Sequence, residues 1–322
     1  MTAARAGGVP ARVAESAQRS SRSDAVKGSR AAPPSSRASH TVFRATWYSV
    51  NILLFFSVLA VIWSSAWEYS TRRYLKGFSD AIIPFTAPPV QKVQAILNWM
   101  SHTPARFGQA PAADNDDRNP TDTLNYASLL RVCGTATNAF INLADSGGLT
   151  ARRLLLLDAN RTTVHVVAEV LIDGRWVVVD PTFHTIFRGA DGSMLTRAQL
   201  AVPATFNYAT RNVAGYDPSY VFDRAVHVRL SHLGFVGRYL RRILDRWVPN
   251  WESSATLSLL MERESLQMTV FFTIAALLLL PFRTLLRWYG ESRLGVHPQH
   301  IRSRLRRLGQ LLLEPADQVA RL

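Results

Sequence analysis

Two stretches of this sequence carry no charged residue, and they constrain everything that lies between them. Residues 47–67 read WYSVNILLFFSVLAVIWSSAW and residues 266–282 read LQMTVFFTIAALLLLPF. The first, as a helix rising about 1.5 Å per residue, covers about 30 Å, the hydrocarbon thickness of a bilayer. Trp47, Tyr48, Trp63 and Trp67 sit towards its ends, where amphipathic rings favour the lipid–water interface. The run is too long for a cleaved signal peptide and 46 residues precede it, so the expectation is an uncleaved anchor. The second run is short for a span. A buried core helix is the alternative, but its uniform apolarity favours the membrane, with Arg283 and Arg287 snorkelling and Trp288 and Tyr289 at the interface.

Charge gives these spans a direction. Of the net +14, residues 1–46 contribute +6 (eight Lys/Arg against Glu15 and Asp24) and residues 283–322 contribute +5 (eight Arg against three acids). Only +3 remains for residues 47–282. Basic residues therefore flank the outer side of both runs, and the positive-inside rule places both termini in the cytoplasm. The expected plan is a disordered basic tail (1–46), a span (47–67), an extracytoplasmic domain (68–265, core 88–200), a span (266–282) and a basic tail (283–322). In a bacterium this is a protein of the inner membrane with its domain on the periplasmic side. Ile301, Leu305, Leu308 and Leu312 fall at helical spacing among arginines, the pattern of an amphipathic helix lying on an anionic leaflet. Charge confined to tails beside apolar runs argues against nucleic acid as a partner; membrane lipids are the expected one.

The chain has one cysteine, Cys133, and eight scattered histidines. No intrachain disulfide and no CxxC or HExxH metal set can be built from them, so neither a metal nor a cofactor is expected.

Between the runs, helical patterning comes first and strand patterning second, which suggests α+β. Val93, Ile96, Leu97 and Met100 recur at helical spacing after Pro88-Pro89. Residues 107–122 read as a loop. Ala136, Ala139, Phe140, Leu143 and Ala144 define a helix through Cys133 that stops at Gly147-Gly148, with Cys133 on the inward side. Leu154–Leu157 is a short strand candidate. Val164–Ile172 and Arg175–Val179 flank Asp173-Gly174, the strongest short-range hairpin signal.

That hairpin fixes a register. With a two-residue turn, Ile172 pairs with Arg175 and Asp180 falls opposite Val167. His165 lies two residues from Val167 and so shares its face. His165 and Asp180 become diagonal neighbours, within reach of an imidazole–carboxylate hydrogen bond; a one-residue slip would separate them. A cysteine, a histidine and a carboxylate are the parts of a thiol acyl-transfer site: nucleophile, base and orienting group. Each also has an ordinary structural reading: a small buried hydrophobe, a strand residue, and a turn-closing aspartate before Pro181.

The stretch Leu124–Phe183 resembles the core of the transglutaminase-like family. RVCGTATNAFINLADSGGLTAR resembles its cysteine helix, HVVAEVLIDGRW its histidine strand and turn, and VVVDPTF its aspartate strand. Upstream, RNPTDTLNYASLLR resembles the approach segment of bacterial members. The resemblance implies a papain-like α+β fold, a nucleophile helix packed on an antiparallel sheet. It also implies a catalytic triad of Cys133, His165 and Asp180. The activity implied is cysteine protease, amidase or acyltransferase chemistry on peptide or protein substrates, through a thioester. Val132 and Gly134 flank the cysteine, where the eukaryotic crosslinking members carry Gln and Trp. The Cys133 backbone N–H would supply one oxyanion donor, with Asn125 and Tyr126 as candidates for a second. The alternative function is a non-catalytic interaction module, a scaffold in an envelope assembly system.

Residues 215–222, GYDPSYVF, suggest a turn and no chemistry. Phe235, Val236, Tyr239, Leu240, Ile243, Leu244 and Trp247 form one helical face and Arg238, Arg241, Arg242 and Arg246 another. That pattern suits either a core-packing helix or a helix on the membrane surface.

Overall fold

The structure is a computed structural model and describes residues 37–102, 107–108, 118–228 and 234–295. The Ile301–Leu312 helix expectation and most of the N-terminal tail lie outside these residues. Contacts divide the chain into two units, residues 1–52 with 279–322, and residues 53–278.

The first apolar run is part of a much longer helix, α1 (Arg37–Ile82). Residues 37–46, expected to belong to a disordered tail, are helical. Once the apolar run has nucleated a helix, each further residue adds a hydrogen bond at little cost, and nothing at 37–46 breaks it. At its other end α1 continues past Trp67 into the domain, where Leu75 and Ser79 are buried and Tyr74, Phe78 and Ile82 pack on the core. The second run lies in α10 (Glu264–Tyr289), with Pro281 inside it. Both helices are long and apolar enough to cross a membrane. The apolar window of α10 has no buried residue, which excludes a core helix. Within the first unit, Arg283 does not simply extend towards an interface. Its Nε donates to Asn51 Oδ1 at 2.8 Å and its guanidinium lies over the Trp47 ring. Phe43 packs so closely on Gly290 that any β-carbon there would overlap the ring.

In the second unit the helix α2 (Pro89–His102) buries the residues that its spacing predicts. Short helices α3 (Pro120–Asn125) and α4 (Ala127–Leu130) lead into α5 (Cys133–Ser146). Asn119 caps α3 by accepting from the Thr121 N–H, so the expected loop ends there and not at residue 122. A four-stranded antiparallel sheet follows in sequential order: β1 (Ala151–Leu157), β2 (Thr163–Ile172), β3 (Arg175–Asp180) and β4 (Thr185–Ile186). Asp173 and Gly174 both have positive φ, 49° and 76°, the requirement of a two-residue turn whose twist matches the strands. Ile172 pairs with Arg175 and the same register runs on to Ala168 with Val179.

The sheet is covered on both faces. Ala168, Val170, Ile172, Val177 and Val179 pack with α5, α2 and the end of α1. Val167, Val178, Leu154 and Leu156 pack on the other face against Phe187, Leu195, Phe206 and Phe222, from a segment containing α6 (Arg197–Leu200) and α7 (Pro203–Thr210). Helix α5 is buried nearly all round, Gly134 to Ala144, polar residues included. Its end is pressed by the end of α1 and the residue that follows it, since a β-carbon on Gly147 would meet Ile83 at 2.6 Å and Ser79 at 3.3 Å. Three further elements close the unit before α10: α8 (Gly234–Trp247), a 3-10 turn (Trp251–Ser253) and α9 (Ala255–Glu262). The expected α+β arrangement, a nucleophile-type helix on an antiparallel sheet, is what the chain adopts.

Candidate active site

Cys133 is the first residue of α5. Its N-cap, Val132, has no side-chain oxygen to satisfy the first-turn amides. Those N–H groups and the positive end of the helix dipole therefore face whatever occupies the Cys133 position. Cys133 is half buried and packs with Leu155, Leu157, Val166 and Val226, a small cluster separate from the one that holds Ala136 and Phe140. The inward side expected for Cys133 is thus the mouth of the sheet and not the main core.

His165 lies on β2 and is 2 % exposed; Asp180 ends β3 and is fully buried. His165 Nε2 and Asp180 Oδ2 are 2.7 Å apart, as the hairpin register requires. The other oxygen of Asp180 accepts from the N–H groups of Thr182 and Phe183, at 3.0 and 3.2 Å. The carboxylate therefore both closes the turn after Pro181 and orients the ring, and the two readings of Asp180 turn out not to compete. With Nε2 engaged, Nδ1 is the nitrogen left for Cys133, and the thiol and imidazole are near enough to shift each other's ionisation.

The electrostatics follow from this line of three groups. Burial opposes ionisation of Cys133, but the hydrogen bond and charge of His165, with the Val166 and Gly134 amides, outweigh it and hold the thiol below its ordinary pKa. Burial likewise opposes a charged imidazole. The hydrogen bonds to Asp180 and Cys133 and their charges win, and His165 is pushed up to about 9. Both shifts favour the thiolate–imidazolium form over the neutral pair.

Sequence reasoning assigned no chemistry to residues 215–222, yet two of them enclose the histidine. The Tyr220 ring stacks on the His165 imidazole, 4.3 Å between centroids and 2° from parallel. Tyr216 meets it edge-on at 6.1 Å and also packs on Phe183 and Phe187. Its hydroxyl is buried without a well-formed hydrogen bond among the described residues, and burial followed by the nearby Asp180 charge raises its pKa. No periodicity marks these tyrosines; only the aromatic pair around Asp-Pro stands out in the sequence.

A cleft of about 650 Å³ opens at Cys133, lined also by Val132, Arg153, Leu155, Val166 and His227. Its floor carries the buried Glu262, which accepts from Arg153 at 2.8 Å and Arg118 at 3.1 Å. His227 is held by Glu169 at 2.7 Å, and Glu169 also accepts from Arg152. Burial alone would raise Glu169, but the His227 hydrogen bond and the Arg152 charge keep it below the usual carboxylate range. Of the two oxyanion candidates, Asn125 is engaged elsewhere. The Asn125 amide donates to Tyr74 Oη and to the Thr121 carbonyl, and Tyr126 pairs with Phe107. The amides at the start of α5 remain as donors.

A family model, the transglutaminase-like superfamily, matches residues 76–181. No curated protein and no solved structure matches the chain. The match starts in the last turns of α1 and takes in Cys133, His165 and Asp180, while Tyr216 and Tyr220 lie beyond it. Residues 76–181 are a transglutaminase-like domain.

Proposed function

We propose that this chain is a membrane-anchored thiol enzyme that cleaves or transfers acyl groups from amides of peptides or proteins, with Cys133 as nucleophile, His165 as acid–base and Asp180 as orienting carboxylate. The observation that carries the proposal is His165, bonded to Asp180 through Nε2 at 2.7 Å and facing Cys133 with its other side. The Cys133 sulfur adds to the amide carbonyl carbon, and the oxyanion that forms is met by the first-turn N–H groups of α5. The C–N bond breaks as His165 delivers its proton to the leaving amine, which leaves an acyl thioester on Cys133. Neutral His165 then takes a proton from water or an incoming amine as that nucleophile attacks the thioester. The acyl group departs and the imidazolium–thiolate pair is restored. Tyr220, flat against the imidazole, excludes water and supports the charged ring through its π face.

In this reading α1 and α10 are spans, both termini are cytoplasmic and the domain faces the periplasm. Basic tails flanking the two apolar runs support that topology. Two experiments test the function. An electrophilic thiol probe labels an activated thiolate fast at neutral pH, and slow labelling would favour a non-catalytic module. Screening peptides and amines for turnover, with Cys133→Ala as control, then identifies donor and acceptor. Turnover that survives Cys133→Ala would refute the proposal. Reporter fusions after residue 75 and at the C-terminus check topology; a cytoplasmic signal from the first overturns it.

A further inference from the structure

Helix α8 has an exposed face that water does not suit. Phe235, Tyr239, Ile243 and Trp247 recur every four residues and form one row, exposed by 76, 66, 40 and 77 %. Arg238, Arg242 and Arg246 recur at the same interval and form a second row beside it, all exposed. Gly237 is buried and Leu240 and Leu244 are half buried, so the helix rests on the domain along a narrow strip. Its C-terminal half is tied to the turn that follows it: Trp251 Nε1 donates to Asp245 Oδ1 at 2.8 Å, and Arg241 donates to Glu252 at 2.8 Å. Both ties use other residues than the aromatic row, which is left facing outward. The core-packing alternative fails for these four residues.

We propose that α8 is an interfacial helix that seats its aromatic row in an anionic lipid surface. Large rings beside arginines are the composition of the headgroup level, where an apolar body and a polar or charged tip are both satisfied. The arginine row supplies the complementary charge for lipid phosphates. Among the described residues, neither row meets an acidic partner surface. Pairing of two copies about a twofold axis through this face would bring the arginine rows towards each other. The chain also brings the helix to the membrane, because only the 3-10 turn and α9 separate it from α10. The proposal rests on the reading of α1 and α10 as spans.

The test uses the full chain carrying Cys133→Ala, so that one introduced cysteine takes a spin label, reconstituted in phosphatidylcholine vesicles with or without phosphatidylglycerol. Labels are placed at Tyr239→Cys, at Leu277→Cys in the apolar part of α10, and at the exposed Ala159→Cys. The expected result is a severalfold higher ratio of oxygen to nickel-chelate accessibility at position 239 than at 159. That ratio should rise with phosphatidylglycerol and fall when Arg238, Arg242 and Arg246 are changed together to Gln. A water-like ratio at 239 with a lipid-like ratio at 277 overturns the proposal and leaves the spans standing. Water-like ratios at both positions overturn the spans and the proposal together. Spin–spin broadening at 239 without lipid-like accessibility assigns the face to a second copy and likewise overturns it.

Discussion

Helix α5 carries a polar cluster at its start and another along its flank, and the two are built on opposite principles. At the start, Cys133, His165 and Asp180 form a line of titratable groups with one end open to a cleft. Along the flank, Asn138, Asn142 and Asp145 meet Glu262 and Arg263. Asn138 and Asn142 donate to the Glu262 carbonyl, and the fully buried Arg263 donates to Asn142, Asp145 and Glu68. Ser265 adds a hydrogen bond to Glu68. The flank is a network of charges and amides in which each charge has a partner: Arg263 has acids on both α1 and α5, of which Asp145 is partly exposed, and Glu262 has Arg118 and Arg153 at the cleft. Such a network gives geometry and no reactivity, because its charges are already compensated. The start of the helix keeps one group, the thiol, partly exposed and uncommitted. The comparison teaches that burial of charge does not by itself mark a candidate site; a partly exposed thiol beside a buried imidazole does.

The sharpest test of that division is Cys133→Ala. It should lower turnover by about 10⁶-fold, the size of a nucleophile loss in a triad, while the thermal midpoint barely moves. Loss of stability with turnover retained would make Cys133 a packing residue and erase the contrast. Asp180→Ala should lower turnover less, by about 10⁴-fold, since water can partly replace an orienting carboxylate. It also carries a pH signature. His165 holds its proton up to about 9, against an ordinary 6.5, so acyl transfer that needs the imidazolium should decline as pH rises through about 9. Asp180→Ala should move that decline to lower pH. The same bond should stabilise the fold fully below pH 6.5 and lose its contribution as pH rises through about 9, which denaturation at several pH values would show.

For the flank, the reverse is expected. Arg263→Ala takes a buried cation from Glu68 and Asp145, but Glu68 keeps Arg72 and Ser265 and Asp145 is partly exposed, so it should cost about 1–3 kcal/mol in unfolding free energy, while the labelling rate of Cys133 in the folded fraction stays unchanged. A change in labelling rate would show that the two clusters are coupled through α5. The smallest effect falls on the tyrosine cap. Tyr220→Ala should lower kcat about tenfold and Tyr220→Phe hardly at all, because the stack needs the ring and not the hydroxyl. Equal losses in the two variants would assign the hydroxyl a part in the chemistry.

How much of this the sequence shows depends on the range of the interaction. The hairpin register was legible because Asp173-Gly174 is a local signal, and with it came the His165–Asp180 contact. Helices at 89–102 and 133–146 were legible from spacing. The tyrosine cap was not, since Tyr220 reaches His165 across a separation of 55 positions with no periodic cue. The flank was hidden for a different reason. Asn138 and Asn142 look like a solvent face on a helical wheel, and Glu262 and Arg263 look like the polar border of an apolar run. Only the fold reveals that these two sets satisfy each other. The extent of α1 is not legible because the charged residues after Trp67 end the apolar run without ending the helix.

The flank network also sets an order in time. Its donors and acceptors are 118 to 124 positions apart on the α5 side, and Glu68 waits 195 positions for Arg263. At a synthesis rate of roughly 5–20 residues per second, α5 exists for about 6–25 s before its partners are made. Through that interval Asn138 and Asn142 have no Glu262 carbonyl to bind, and the polar side of the helix that presents Cys133 has Thr123 as a partner for Asn138 but not Glu262 or Arg263. The last polar residues before the second apolar run thus act as the closing stitch of the domain, and a ribosome that stops short of them leaves the flank of the Cys133 helix without these partners.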